Sequence, residues 1–154
     1  MKTQAVREKQ QRLDNIFSQV SSFSGDAELQ SHWARYLCIL VSGFLETSVQ
    51  HIYIEYSKKR SASDVAGYVE RRLKQFQNPQ MKKILDLTGS FNPAWREALK
   101  VATEGQTKDA VDSIVANRNT IAHGESVGIT YSRIKEYYQN ALKVIELIDR
   151  QCNP

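Results

Sequence analysis

The sequence predicts an all-α protein: a four-helix up-and-down bundle core with short helices inserted between the second and the penultimate long helix. Three observations carry this expectation. Apolar residues recur at spacings of three, four and seven over several long segments, the period of an amphipathic helix. Alternation with period two never persists beyond a few residues, so no strand is predicted. Ser-Gly-Asp, Asn-Pro and Glu-Gly stretches separate the periodic segments, which is the chemistry of turns and caps.

Residues 3–23 read as the first helix, with Val6, Leu13, Ile16, Phe17 and Val20 on one stripe and Ser24-Gly25-Asp26 as the turn. Residues 28–58 read as a longer second helix. Its main stripe is Leu29, Trp33, Tyr36, Leu37, Leu40, Val41 and Phe44, widened by Ile39, Leu45, Val49 and Tyr53. A helix apolar around most of its circumference is buried around most of it, so this is the expected central helix. Gly43 would let another helix approach closely. Ser61 to Asp64 offer N-caps for a third helix reaching about Phe76, with Val65, Tyr68, Val69, Leu73 and Phe76 inside. Asn78-Pro79 and Asn92-Pro93 each read as N-cap plus first helical residue, opening short fourth and fifth helices that end near Gly89 and Val101. Thr107 is the expected cap of the sixth helix, whose inner stripe is Ala110, Val111, Ile114, Val115, Ile121 and Ala122. Arg118 falls on that same stripe. The seventh helix starts near Thr130 and carries Ile134, Tyr137, Tyr138, Ala141, Ile145 and Ile148.

The 154 residues suit one ordinary domain, and residues 1–154 are read as such. A composition with 41% hydrophobic and 25% charged residues is globular rather than disordered. The longest uninterrupted apolar run, Tyr36 to Val41, is too short to cross a bilayer. Met1 to Arg12 is polar and charged, unlike a secretory leader. Cys38 and Cys152 make no disulfide framework. A cytoplasmic protein without membrane contact is expected. The net charge of +4 is uneven: residues 58–83 hold Lys58, Lys59, Arg60, Arg71, Arg72, Lys74, Lys82 and Lys83 against Asp64 and Glu70. This is either a solvated helical face or an electrostatic footprint for nucleic acid.

The one set of residues suited to chemistry is Arg118-Asn119-Thr120-Ile121-Ala122-His123-Gly124. Histidine exchanges a proton near neutral pH. Arginine stays charged and presents a planar fork of donors to a phosphate. Gly124 stands where a helix end calls for a left-handed residue. On an ideal helix Arg118 and His123 lie about 140° apart, so arginine's reach, an unwound last turn or a second copy of the helix must bring them to one phosphate. Asn119 shares the face of His123 and can orient it. Such a set can cleave RNA through its own 2′-hydroxyl, with histidine moving the proton and arginine stabilising the phosphorane. A purely structural account competes with this. In it, His123 is an ordinary helix-end residue and Arg118 pairs with a carboxylate, Glu46 being the partner suggested by its apolar surroundings; as an accessory site residue, Glu46 would instead fix the arginine for catalysis. The separated histidines and cysteines have no metal-ligand spacing, and no glycine-rich phosphate loop is present. Neither a metal nor a cofactor is predicted.

The stretch Arg118 to His123 resembles the Arg-polar-x-x-x-His pattern of the HEPN domains (higher eukaryotes and prokaryotes nucleotide-binding). With Gly124 following, it is most similar to the RiboL-PSP type. The resemblance extends in outline over the whole chain. It implies an all-α metal-independent endoribonuclease, usually a homodimer with the two motifs facing each other, often in toxin–antitoxin, phage-defence or RNA-processing systems. Arg118 and His123 would carry catalysis, with Asn119 as the accessory polar residue. An antitoxin or defence-complex partner protein is then expected. HEPN toxins modified by a nucleotidyltransferase antitoxin carry a tyrosine two residues after the histidine; Glu125 stands there, which sets this chain apart from them. The competing function is a non-catalytic HEPN-like module that binds RNA, nucleotide or protein.

Overall fold

A computed structural model describes residues 1–125 and 127–154. Among these are seven helices: α1 (Gln4–Ser21), α2 (Ala27–Arg60), α3 (Ser63–Leu73), α4 (Met81–Phe91), α5 (Pro93–Thr103), α6 (Gln106–Ala122) and α7 (Tyr131–Cys152). The described residues contain no strand. The bundle core is α1, α2, α6 and α7, with α3 to α5 inserted between α2 and α6, as the periodicity predicts.

Aromatic and polar contacts set the direction of each helix. Tyr138, early in α7, meets Phe44 of α2 and stacks on Phe17 near the end of α1. At the other end of α7, Asp149 accepts hydrogen bonds from the start of α1. Thr107, at the start of α6, donates to Asn140 of α7. So α2 and α7 run parallel, with α1 and α6 antiparallel to both. α2 is long and apolar enough, by length and composition, to cross a membrane, which its short uninterrupted runs did not suggest. In the bundle it is the shared wall, touching α1, α3, α6 and α7. Its Leu37, Val41, Leu45, Val49 and Ile52 are fully buried. Truncating Leu37, Leu45 or Ile52 to Ala would cost about 2–5 kcal/mol.

The burial of α2 is not continuous around its axis. Leu29, Tyr36 and Ile39, expected on its stripe, are 39%, 48% and 39% exposed. A Cβ added at Gly43 would meet nothing within 4 Å, so no helix comes close there. Covering neighbours stop short of this side, and an apolar strip remains open.

The two Asn-Pro pairs behave differently. Asn92 caps α5, its Oδ1 accepting from the N–H groups of Ala94 and Trp95, with Pro93 in the first turn. Asn78 does not cap α4. It takes a left-handed φ of 52°, a region that Asn tolerates, and its N–H donates to Glu46 of α2. The helix starts later, at Met81, whose N–H is satisfied by Asp112 Oδ1 of α6 at 2.8 Å. α4 runs on to Phe91, past Gly89, and α3 stops at Leu73, short of Phe76. Thr107 does not cap α6 either. It is buried against Asn140, and Gly105, at φ 88°, stands at the cap position just before Gln106.

Candidate active site at the end of α6

The inner face of α6 is Thr107, Ala110, Val111, Ile114 and Val115. It packs on α2 and α7, and the Cys38 thiol of α2 lies 3.6 Å from the Ile114 carbonyl. Burial pushes that thiol up to about 11, so Cys38 behaves as a packed thiol rather than a nucleophile. α4 meets the first half of α6, where Met81 reaches Asp112. Beyond Val115 no residue of α6 is fully buried. Arg118 and Ala122 are exposed and Ile121 is half-buried. Arg118 therefore does not lie on a buried stripe, as the seven-residue spacing from Val111 suggests. The helical period is kept, but the neighbour that would cover it is missing.

The helix ends as Gly124 requires. Gly124 adopts φ 78°. Its N–H donates to Ile121 O at 3.0 Å and the Glu125 N–H donates to Thr120 O at 3.1 Å. These two bonds form the Schellman termination. They satisfy two of the carbonyls a helix end leaves open. His123 sits at the cap, exposed, its N–H donating to Asn119 O. Its side chain thus stands at the negative end of the helix, facing solvent.

The predicted site residues divide into groups. Arg118 Nη1 donates to Asn119 Oδ1 at 3.2 Å, so Asn119 steadies the arginine rather than the imidazole. Among the described residues no carboxylate pairs with Arg118. Glu46 is not its partner: its carboxylate holds the Asn78 N–H at 3.2 Å and fixes the α3–α4 connection. Within one chain, Arg118 and His123 are not hydrogen-bonded to each other. They share the end of the bundle where α2 begins, because Ile114 lies beside Cys38 and the two helices are antiparallel. Leu29 and Tyr36 are exposed at that end, and Trp33 packs edge-on against Tyr36.

The basic segment lies elsewhere. Lys58 and Lys74 both pair with Glu70, at 3.2 and 3.6 Å, and Lys59 pairs with Glu55. The Arg60 guanidinium lies 4.4 Å over the Tyr56 ring. Arg71 and Arg72 have no ion pair among the described residues. Val65 and Tyr68, expected inside α3, are 50% and 59% exposed. Their one signal in the sequence is that Val65, Tyr68 and Arg72 fall in a single helical row. Among the described residues no three His, Cys, Asp or Glu side chains converge as a ligand set.

No curated protein and no solved structure matches the chain. The family described as RiboL-PSP-HEPN matches residues 6–154, from the first turns of α1 past the end of α7. A helical bundle with its Arg-Asn-Thr-Ile-Ala-His stretch at the end of the penultimate long helix agrees with that match, and the chain belongs to the RiboL-PSP-HEPN family.

Proposed function

We propose that the protein is an endoribonuclease that cleaves RNA by attack of the substrate's own 2′-hydroxyl, without a metal. The carrying observation is that Arg118 and His123 are both exposed at one helix end, with no carboxylate partner for Arg118 among the described residues. A buried arginine needs a partner; exposed Arg118, bonded only to Asn119 among the described side chains, keeps donors available for a phosphate. His123 takes the 2′-hydroxyl proton, or in its protonated form gives one to the leaving 5′-oxygen. The 2′-oxygen bonds to phosphorus and the bond to the 5′-oxygen breaks. Arg118 stabilises the charge that builds on the phosphorane oxygens, and Asn119 holds Arg118. The products are a 2′,3′-cyclic phosphate and a 5′-hydroxyl.

The complete site is a homodimer's. A second copy seated on Leu29, Tyr36 and Ile39 covers an apolar strip that the single chain leaves open, and brings two α6 ends together. The setting is cytoplasmic, in toxin–antitoxin or phage defence, with a partner protein that restrains cleavage. Purified protein incubated with mixed RNA, with and without EDTA, tests the activity. Cleavage that survives EDTA, leaves cyclic phosphate ends and spares DNA is expected. Cleavage lost in EDTA would overturn the metal-free mechanism. A mass in solution of about twice 17.6 kDa is expected for the chain. A monomer that cuts RNA would remove the composite site.

A further inference from the structure

A groove of about 580 Å³ opens between α3 and α4, far from the motif. Its walls include Tyr68, Val69 and Arg72 from α3, Phe76 from the connection, and Leu87 and Phe91 from α4. At about 1.5 Å per residue along α2, the span from Cys38, beside Ile114, to Tyr56, beside Phe91, puts it on the order of 30 Å from Arg118. Phe91 is held rigidly: it stacks on Tyr53 at 4.5 Å and 11° and meets Tyr56 edge-on. Tyr68, by contrast, is 59% exposed.

The rim of the groove is cationic. Arg72 lines it, and Arg71 precedes it on α3 with its guanidinium beside Gly67. Lys82 and Lys83 open α4, with Lys83 Nζ donating to Gln77 O across the connection. Of the acids nearby, Glu70 is already engaged by Lys58 and Lys74, which leaves Asp64 and Asp86 without an ion pair among the described residues. Gln75 and Ser90 add an amide and a hydroxyl to the walls.

We infer that this groove is a second RNA-contact site, where an unpaired base stacks on Tyr68 while Arg72 and Lys83 hold the flanking phosphates. The inference rests on RNA being the substrate proposed above. An aromatic face, a cationic rim and a few polar groups are the combination by which proteins hold single-stranded nucleic acid. A purely apolar partner would leave the rim charges unmatched, and a purely electrostatic contact would leave Tyr68 without a role.

The test is the affinity of the full-length chain for fluorescent oligouridylate and for an abasic ribose-phosphate strand of the same length, in a His123→Ala background so that RNA survives. Tighter binding of oligouridylate is expected. Tyr68→Ala should lower that affinity about tenfold, to the level of the abasic strand, while Tyr68→Phe keeps it. Arg72→Ala should weaken both strands and flatten the salt dependence by about one phosphate contact. Equal affinity of Tyr68→Ala and its parent for oligouridylate overturns the inference. So does a Tyr68→Ala protein whose defect is loss of self-association, which would make the groove a contact between copies. A chain that binds through Tyr68 but never cleaves RNA keeps this site and sinks the proposed activity. A chain that cleaves RNA while ignoring Tyr68 does the reverse.

Discussion

Where α1 begins and α7 ends, Asp149 is 1% exposed and accepts from the Lys2 and Thr3 N–H groups, the Thr3 hydroxyl and the Asn153 amide. At the opposite end of the bundle, Arg118 and His123 are exposed, and the only side-chain bond between motif residues joins Arg118 to Asn119. Both clusters are polar and both lie at helix ends, yet one is saturated by the chain and the other is not. A saturated polar cluster holds the fold. An open one has bonding capacity left for a substrate or a second copy. The first should therefore show its value in stability, and the second in activity.

The sharpest way to break this contrast is His123→Ala. A general acid–base contribution of about 10²–10⁴-fold is at stake, so the cleavage rate should fall by about that much with melting unchanged. A folded His123→Ala protein that cuts RNA as fast as its parent would favour the non-catalytic binding module. Arg118→Ala should cost about 10²–10³-fold in rate, and its exposure means that helical content and melting should also hold.

At the other end, Asp149→Asn should leave the rate alone and lower stability by about 2 kcal/mol at neutral pH. Burial works against the charge on Asp149, but the bonds from Thr3 and Lys2 outweigh it and hold the carboxyl below its usual range. A depressed folded pKa gives stability that is present above the unfolded value and lost as pH falls through the folded one. The gap between parent and Asp149→Asn should therefore shrink below the ordinary carboxylate range. A gap independent of pH from neutral to acid would show that the carboxylate charge has no part in holding that end.

The smallest effect is expected at Gly124. An alanine there must adopt a φ of 78°, at a cost of about 1 kcal/mol. If the Schellman turn serves mainly to present His123, the cleavage rate should drop further than this modest loss of stability suggests. A rate that merely tracks melting would make the turn structural, and the two ends less different than proposed.

Much of this was readable in the residue order. Helix number and sequence followed from apolar spacing, since a stripe needs only the period of its own helix. Thr130, Asn92-Pro93 and Gly124 act where expected, because a cap or a left-handed glycine is settled within a few residues. The stretch Arg118 to His123 identified the family in the same local way.

Other features were decided only when distant segments met. Asn78-Pro79 has the composition of a cap, but Glu46 and Asp112 reach in from α2 and α6 and move the start of α4 to Met81. Arg118 keeps its place in the helical period and is nevertheless exposed, because the packing that buries Val111, Ile114 and Val115 does not extend to it. Tyr68 and Phe91 stand on separate helices and share a groove only because α3 and α4 fold against α2. A sequence determines which way a side chain points from its own helix. Whether a neighbour or solvent waits there depends on where other helices stop, and that is a property of the packed bundle.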